Sequence, residues 1–242
     1  ENADQALTVG NLLETNHAKC ELYGERDGTW SIVDKSAKIV DLTGYTTYKV
    51  QFPECVHQCA DDSNPVCSVC HKKLYTKITA KAADGTTKTA YFTADSALEH
   101  GYVEAIQTLN GWSNEGCTEP TLTLLRDMYA YGTSMPLTGT LTLKGGTHTA
   151  KNVTVAENAD VTFASGSYRG ATINGTATVE AGVTFTDAGV TVNGTLNAKG
   201  GTFDGPVEFN GSSTANISGG SFNNEKKYGG VTFDYNVTGT IT

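Results

Sequence analysis

The chain reads as mainly β: a right-handed parallel β-helix, or solenoid, with a short α-helical N-terminal cap and a small Cys/His-containing β module before it. Three observations predict this. A bulky side chain preceded by glycine recurs at His148, Tyr168, Phe185, Phe203 and Phe222, at intervals of 20, 17, 18 and 19 residues. Each interval holds three short segments of alternating β-branched or aromatic residues, such as Val190-Thr191-Val192, Thr195-Leu196-Asn197-Ala198 and Thr202-Phe203. Between them stand Gly, Asn, Asp and Ser, residues that tolerate tight turns and positive φ. Alternation turns every second side chain inward, and no single strand is long enough to stand alone. A coil of about 18 residues with three corners can stack on the next at roughly 4.8 Å, the strand spacing of any sheet. Phe185, Phe203 and Phe222 would then form an interior stack, continued by Tyr168 and His148. An antiparallel β-sandwich is the competing architecture, but its strands need not repeat a bulky residue in register.

In chain order, residues 1–51 form a β-rich segment. "DQALTVGNLLE" is compatible with a short helix, and "CELYGERDGTWSIV" alternates like strands around a turn at Asp27-Gly28. Residues 52–74 are a Cys/His knuckle. Cys55, His57, Cys67 and Cys70 have the spacing C-x-H, nine residues, then C-x-x-C. Zn²⁺ takes four tetrahedral thiolate and imidazole ligands, and C-x-x-C presents two thiolates from one turn. A knuckle with no apolar core gains its folding energy from the metal. Cys59 and His71 offer alternative ligands, and Cys20 and Cys117 are left over. A disulfide framework built from the six cysteines is the alternative.

Residues 75–118 read as a β-hairpin and a capping helix. Leu74–Ala80 and Lys88–Phe92 alternate about a turn at Asp84-Gly85. "TADSALEHGYVEAIQTLNGW" has helical spacing at Ala97, Leu98, Tyr102, Ala105, Ile106 and Leu109. Thr93 or Asp95 can cap it, and Asn110-Gly111 is expected to stop it. Such a helix would cover the otherwise open first coil. Residues 119–242 are the solenoid, with "TLTLLRD", Thr121 to Asp127, as its first rung.

Composition narrows the function classes. The 242 residues carry a net charge of −9, which argues against nucleic acid, a partner that demands a basic face. No run approaches the ~18 apolar residues of a membrane span. A start at Glu1 and an end at Thr242 inside a strand pattern lead us to expect a segment of a longer protein. Asn-x-Ser/Thr occurs at Asn152, Asn174, Asn193, Asn210, Asn216 and Asn236, but coil corners and outward strand positions explain these residues better than glycosylation does. Catalysis has little support. Asp187 and Asp204 are the only carboxylate pair with a case for glycosidase chemistry, and they need not share a groove. From Leu137 onward there is no Trp and the only arginine is Arg169. The five histidines show no nucleophile elbow nearby. A binder should carry an atypical loop on its monotonous coils, and Asn223 to Gly230 is one, exposing Glu225, Lys226, Lys227 and Tyr228.

The series as a whole resembles multi-repeat, wall-associated, adhesin-like surface proteins of Gram-positive Firmicutes. The residues that carry the resemblance are Tyr23 to Trp30, the Cys55–Cys70 knuckle, Tyr91 to Leu98, Thr121 to Asp127, and the Gly- and Thr-rich repeats from Leu137 onward. The resemblance implies an adhesin-like extracellular module at the bacterial cell surface or cell wall. We expect a monomer that is not an enzyme, and a host glycoprotein, mucin glycan or immunoglobulin is compatible as its partner. The resemblance makes residues 1–51 the tail of a preceding repeat, and it places the metal ligands at Cys55, His57, Cys67 and Cys70. A carbohydrate-active β-helix enzyme, a glycoside hydrolase or polysaccharide lyase, is the alternative function.

Overall fold

The computed structural model describes residues 9, 21–34, 36–37, 42–51, 55–93, 100–126, 135–223 and 230–242. The chain divides into two compact units. One is Glu1–Ala60 with Val66–Lys72, and the other is Asp61–Pro65 with Lys73–Thr242.

The first unit contains a three-stranded antiparallel sheet in the order β2-β1-β3: β1 is Glu21–Arg26, β2 is Thr29–Ile32 and β3 is Thr47–Gln51. The β1–β2 turn falls at Asp27-Gly28 as expected, with φ of 51° and 75°. Two successive positive values are what a two-residue hairpin of matching twist requires. Leu22 packs with Val9 and Val33, flanked by Ala37, Leu42 and Tyr45. Gly24 leaves room for Tyr45, whose ring would lie 2.4 Å from an added Cβ. Val9 is helical; the rest of the expected short helix lies outside the described residues, as does Cys20.

The second unit opens with the hairpin β4 (Leu74–Lys81) and β5 (Thr87–Thr93). Its turn is set by Gly85 at φ 82° and by Asp84, whose carboxylate accepts from the Thr86 backbone N–H at 2.9 Å. Helix α1, His100–Asn114, buries Tyr102, Ala105, Ile106 and Leu109 at the expected spacing. Its expected N-terminal part, with Asp95, Ala97 and Leu98, lies outside the described residues. The expected stop at Asn110-Gly111 is corrected: the helix continues through Gly111. Trp112 extends the apolar face onto the core. The helix ends at Asn114, and the chain turns away at Gly116, φ 87°, where Cys117 N–H closes on Trp112 O at 2.9 Å. A mid-helix glycine costs about 1 kcal/mol, which the packing of Trp112 offsets.

β6 (Thr118–Leu124) pairs antiparallel with β4 on one side and parallel with β8 (Thr140–Lys144) on the other. It is the first rung, as expected, although it begins and ends three residues earlier than the sequence suggested. The cap on the first coil is therefore the β4–β5 hairpin as well as the helix. The hairpin occupies the open hydrogen-bonding edge of β6, and the helix shares its buried residues with the same core.

From β8 onward every strand pair is parallel, and the strands wind a β-solenoid of about five turns. The remaining strands are β7 (Met135–Leu137), β9 (Thr147–Val155), β10 (Asp160–Ile173), β11 (Thr176–Val192), β12 (Thr195–Phe203), β13 (Val207–Phe209), β14 (Thr214–Phe222), β15 (Val231–Phe233) and β16 (Thr238–Ile241). The long strands turn corners, so three sets of rungs arise. One set carries the inward column Leu122, Leu143, Phe163, Val179, Ala198 and Ile217, with the exposed Ile241 in register on the last rung. A second pairs Tyr168 with Phe185, Phe185 with Phe203 and Phe203 with Phe222. The third aligns Val155, Ile173, Val192, Phe209 and Phe233.

The expected aromatic stack is present. Phe185 and Phe203 lie 5.4 Å apart at 24°, and Phe203 and Phe222 lie 4.6 Å apart at 4°. Tyr168 is fully buried, and its hydroxyl donates to Ser165 O at 2.9 Å. Burial pushes that hydroxyl's pKa up. His148 holds the backbone position opposite Tyr168, but its side chain lies outside what is described. The glycine before each bulky residue has a local cause. At Gly201, φ is 88° and an added Cβ would stand 2.9 Å from Val179 Cγ1.

Asparagines stack outside as the aromatics stack inside. Asn193 Nδ2 donates to Asn174 Oδ1 at 2.8 Å, and Asn210 Nδ2 donates to Asn193 Oδ1 at 3.1 Å. A second ladder joins Asn216 to Asn197 at 2.9 Å. These contacts give four of the Asn-x-Ser/Thr positions a structural role.

Candidate metal centre

The site lies in the first unit and is assembled from two short segments. Gln58-Cys59 runs against Cys67-Ser68: Ser68 N–H donates to Gln58 O at 2.9 Å, and Cys59 and Cys67 form an isolated antiparallel bridge. The chain then reverses through Ser68-Val69-Cys70. His71 N–H donates to Cys67 O, and Cys67 N–H donates to Lys72 O, both at 2.9 Å. His71 closes the reversal in the left-handed region, φ 56°. Inside the turn Val69 N–H donates to Cys67 Sγ at 3.4 Å. This N–H···S contact aims the first thiol of C-x-x-C to the same side as the second.

The structure brings all four sequence-predicted ligands together. The ligand atoms of Cys55, His57, Cys67 and Cys70 lie within 4.8 Å of one another. Cys55 Sγ is 3.6 Å from Cys67 Sγ, and Cys70 Sγ is 3.5 Å from His57 Nδ1. A tetrahedral ion with metal–sulfur bonds of about 2.3 Å and a metal–nitrogen bond of about 2.0 Å has S···S edges near ~3.8 Å and S···N edges near ~3.5 Å. The observed separations match those edges, so the group can hold a metal ion through four protein ligands. Cys67 is buried, while Cys55, His57 and Cys70 are partly exposed.

The electrostatics agree with the geometry. Burial, then the neighbouring Cys70 and Cys67 side chains, push the Cys55 thiol up to about 12. Burial also opposes ionisation of Cys67. Backbone N–H groups of Cys70, Gln58 and Val69, with the His57 side chain, outweigh it and hold Cys67 down to about 5. One thiolate forms readily and the next is resisted by the charge beside it. A bound divalent cation removes that conflict by deprotonating its thiol ligands outright.

Cys59 and His71, the alternative ligands, stay outside the group. Cys59 faces Cys67 across the bridge, a pairing that no spacing in the sequence reveals. The disulfide alternative is not what the described residues form: no disulfide joins any two of Cys55, Cys59, Cys67, Cys70 and Cys117. Cys117 is buried in the core of the second unit. The loop between the two ligand pairs belongs to that second unit. There Asp62 pairs with Lys77 and accepts from Tyr91 Oη at 3.3 Å, and Pro65 O accepts from Leu74 N–H at 3.0 Å and from Arg126 Nη2 at 3.1 Å.

The other candidate residues are placed as follows. Asp204 Oδ1 accepts from Asn223 Nδ2 at 3.0 Å, one more rung-to-rung contact at a corner. The side chain of Asp187 lies outside what is described, and so do Glu225, Lys226, Lys227 and Tyr228. Among the described residues no helix is long and apolar enough to cross a membrane. No protein family, curated protein or solved structure matches the chain.

Proposed function

We propose that this chain is a segment of an extracellular bacterial surface protein, an adhesin or stalk module that presents a solenoid face to a host or matrix ligand. The observation that carries the reading is the solenoid itself. Its coils stack in parallel register, and its outward Asn positions bond rung to rung instead of converging on a reacting centre. Stacked coils give length and a long lateral face for a partner. A host glycoprotein, mucin glycan or immunoglobulin suits that face, and the net charge of −9 disfavours nucleic acid. The module acts as a monomer at the cell surface or wall.

In the same reading, Cys55, His57, Cys67 and Cys70 hold one Zn²⁺ as a structural ion. Three thiolates and an imidazole at tetrahedral edges suit zinc, and four protein ligands close the site against substrate. The metal's task is folding, because the knuckle has few apolar contacts of its own. Purified protein should contain stoichiometric zinc, with sulfur about 2.3 Å from it by X-ray absorption.

A carbohydrate-active enzyme is the competing reading, and the tie between Asp204 and Asn223 favours a corner residue over a catalytic one. The two readings separate in one comparison. Saturable binding to a host glycoprotein on an array, with no turnover on a broad glycan panel, supports the adhesin. Release of reducing sugar that Asp204→Asn abolishes overturns it.

A further inference from the structure

The thiols of the metal centre differ in access and in neighbours. Cys55 is partly exposed and Cys67 is fully buried, and their sulfurs stand 3.6 Å apart. The sulfur of Cys70 also neighbours Cys55 and stands 3.5 Å from His57 Nδ1. A disulfide needs its sulfurs at about 2.05 Å, so Cys55 and Cys67 need only a small approach to bond. The C-x-x-C turn is meanwhile pinned by two backbone hydrogen bonds and the Val69 N–H···S contact.

We propose that the centre is an oxidation-sensitive switch, in which a peroxide joins Cys55 to Cys67 and thereby releases the zinc; this rests on the zinc reading above. With zinc bound both sulfurs are held as thiolates, and the more exposed of the two, Cys55, reacts first. Cys55 attacks the peroxide, an S–O bond forms, the O–O bond breaks, and one water leaves. The sulfur of Cys67 then attacks sulfenic Cys55, an S–S bond forms, the S–O bond breaks, and a second water leaves. Two thiols lose two electrons and two protons, and the peroxide takes up both. When the thiols start as metal-bound thiolates, the two protons come from solvent. Zinc loses two of its four ligands, and Cys70 with His57 alone no longer closes a tetrahedral site. A reductant that cleaves the disulfide restores the four ligands. Cys59 plays no part, although it faces Cys67 across the bridge.

The test uses the full chain loaded with Zn²⁺. Hydrogen peroxide is titrated in, released zinc is followed with a chromogenic chelator, and disulfides are mapped by peptide mass spectrometry under non-reducing conditions. Zinc should appear in proportion to a single new linkage, Cys55–Cys67, and should rebind after thiol reduction. The Cys59→Ser chain should release zinc through the same linkage. Retention of zinc at peroxide levels that oxidise other thiols of the chain overturns the proposal. So does release accompanied by a linkage through Cys59 or Cys70. A chain that takes up no zinc before any oxidant is added overturns the metal reading itself. The two failures are therefore seen at different steps.

Discussion

The solenoid and the knuckle are built from opposite materials. In the solenoid, one coil's apolar column covers the next, and Phe163, Tyr168, Phe185, Phe203 and Phe209 are all buried to within 1% of complete. In the knuckle, the inward atoms are three sulfurs and a nitrogen, while Val56 and Val69 are 81% and 41% exposed. The first is held by burial repeated rung after rung. The second has little apolar area to bury, and turns inward a group that can hold a metal ion. Each region should therefore be sensitive to a treatment that leaves the other indifferent.

The largest effect is expected from the ligands. Cys67→Ser or Cys70→Ser should remove zinc altogether, because structural sites of this kind bind with roughly 10–16 kcal/mol. Metal analysis after gel filtration checks this, and the β-rich circular dichroism of the solenoid should persist. Retention of zinc in both variants would show that other residues bind it.

Next comes the solenoid core. Phe203→Ala should cost about 3–5 kcal/mol in denaturant unfolding, since the cavity opens between two stacked rings. Zinc content should be unchanged. A loss below about 1 kcal/mol would mean that the stack contributes little beyond shape.

Both regions were largely legible in the sequence, for different reasons. Coil register was readable because every rung must repeat a bulky inward position opposite the last one, so Phe185, Phe203 and Phe222 align in the chain and in space alike. The ligand set was readable because C-x-H and C-x-x-C are local geometries, fixed by turns of a few residues. What escaped was decided by distant residues. The helix ends at Asn114 and not at Asn110-Gly111 because Trp112 has a core to reach, and no local signal reports that. The loop 61–65 sits between the ligands in sequence, yet Lys77, Tyr91 and Arg126 draw it into the other unit. Cys59 opposite Cys67 needed the bridge register, which spacing alone does not give.

A smaller effect should come from the corners. Gly201→Ala places a side chain at φ 88° and close to Val179, and left-handed backbone costs a non-glycine residue about 1–2 kcal/mol. A shift in the urea midpoint at constant slope is the expected readout. Unchanged stability would mean that the corner relaxes freely.

The outer ladder should matter less. Asn193→Ala removes its hydrogen bonds to Asn174 and Asn210, and should cost about 0.5–1.5 kcal/mol. The exposed Lys199–Glu180 pair, at 3.3 Å, should be nearly silent on Lys199→Ala, within about 0.5 kcal/mol. If the ladder variant proved costlier than Phe203→Ala, the view of the solenoid as a structure held from within would be wrong.

The division itself is tested most directly by hydrogen–deuterium exchange of the full chain, with its zinc and after chelation. The account predicts that chelation strips protection from peptides covering 55–59 and 66–72, while peptides of the solenoid between 160 and 217 exchange as before. Loss of protection across the solenoid, or no change at the knuckle, would contradict it.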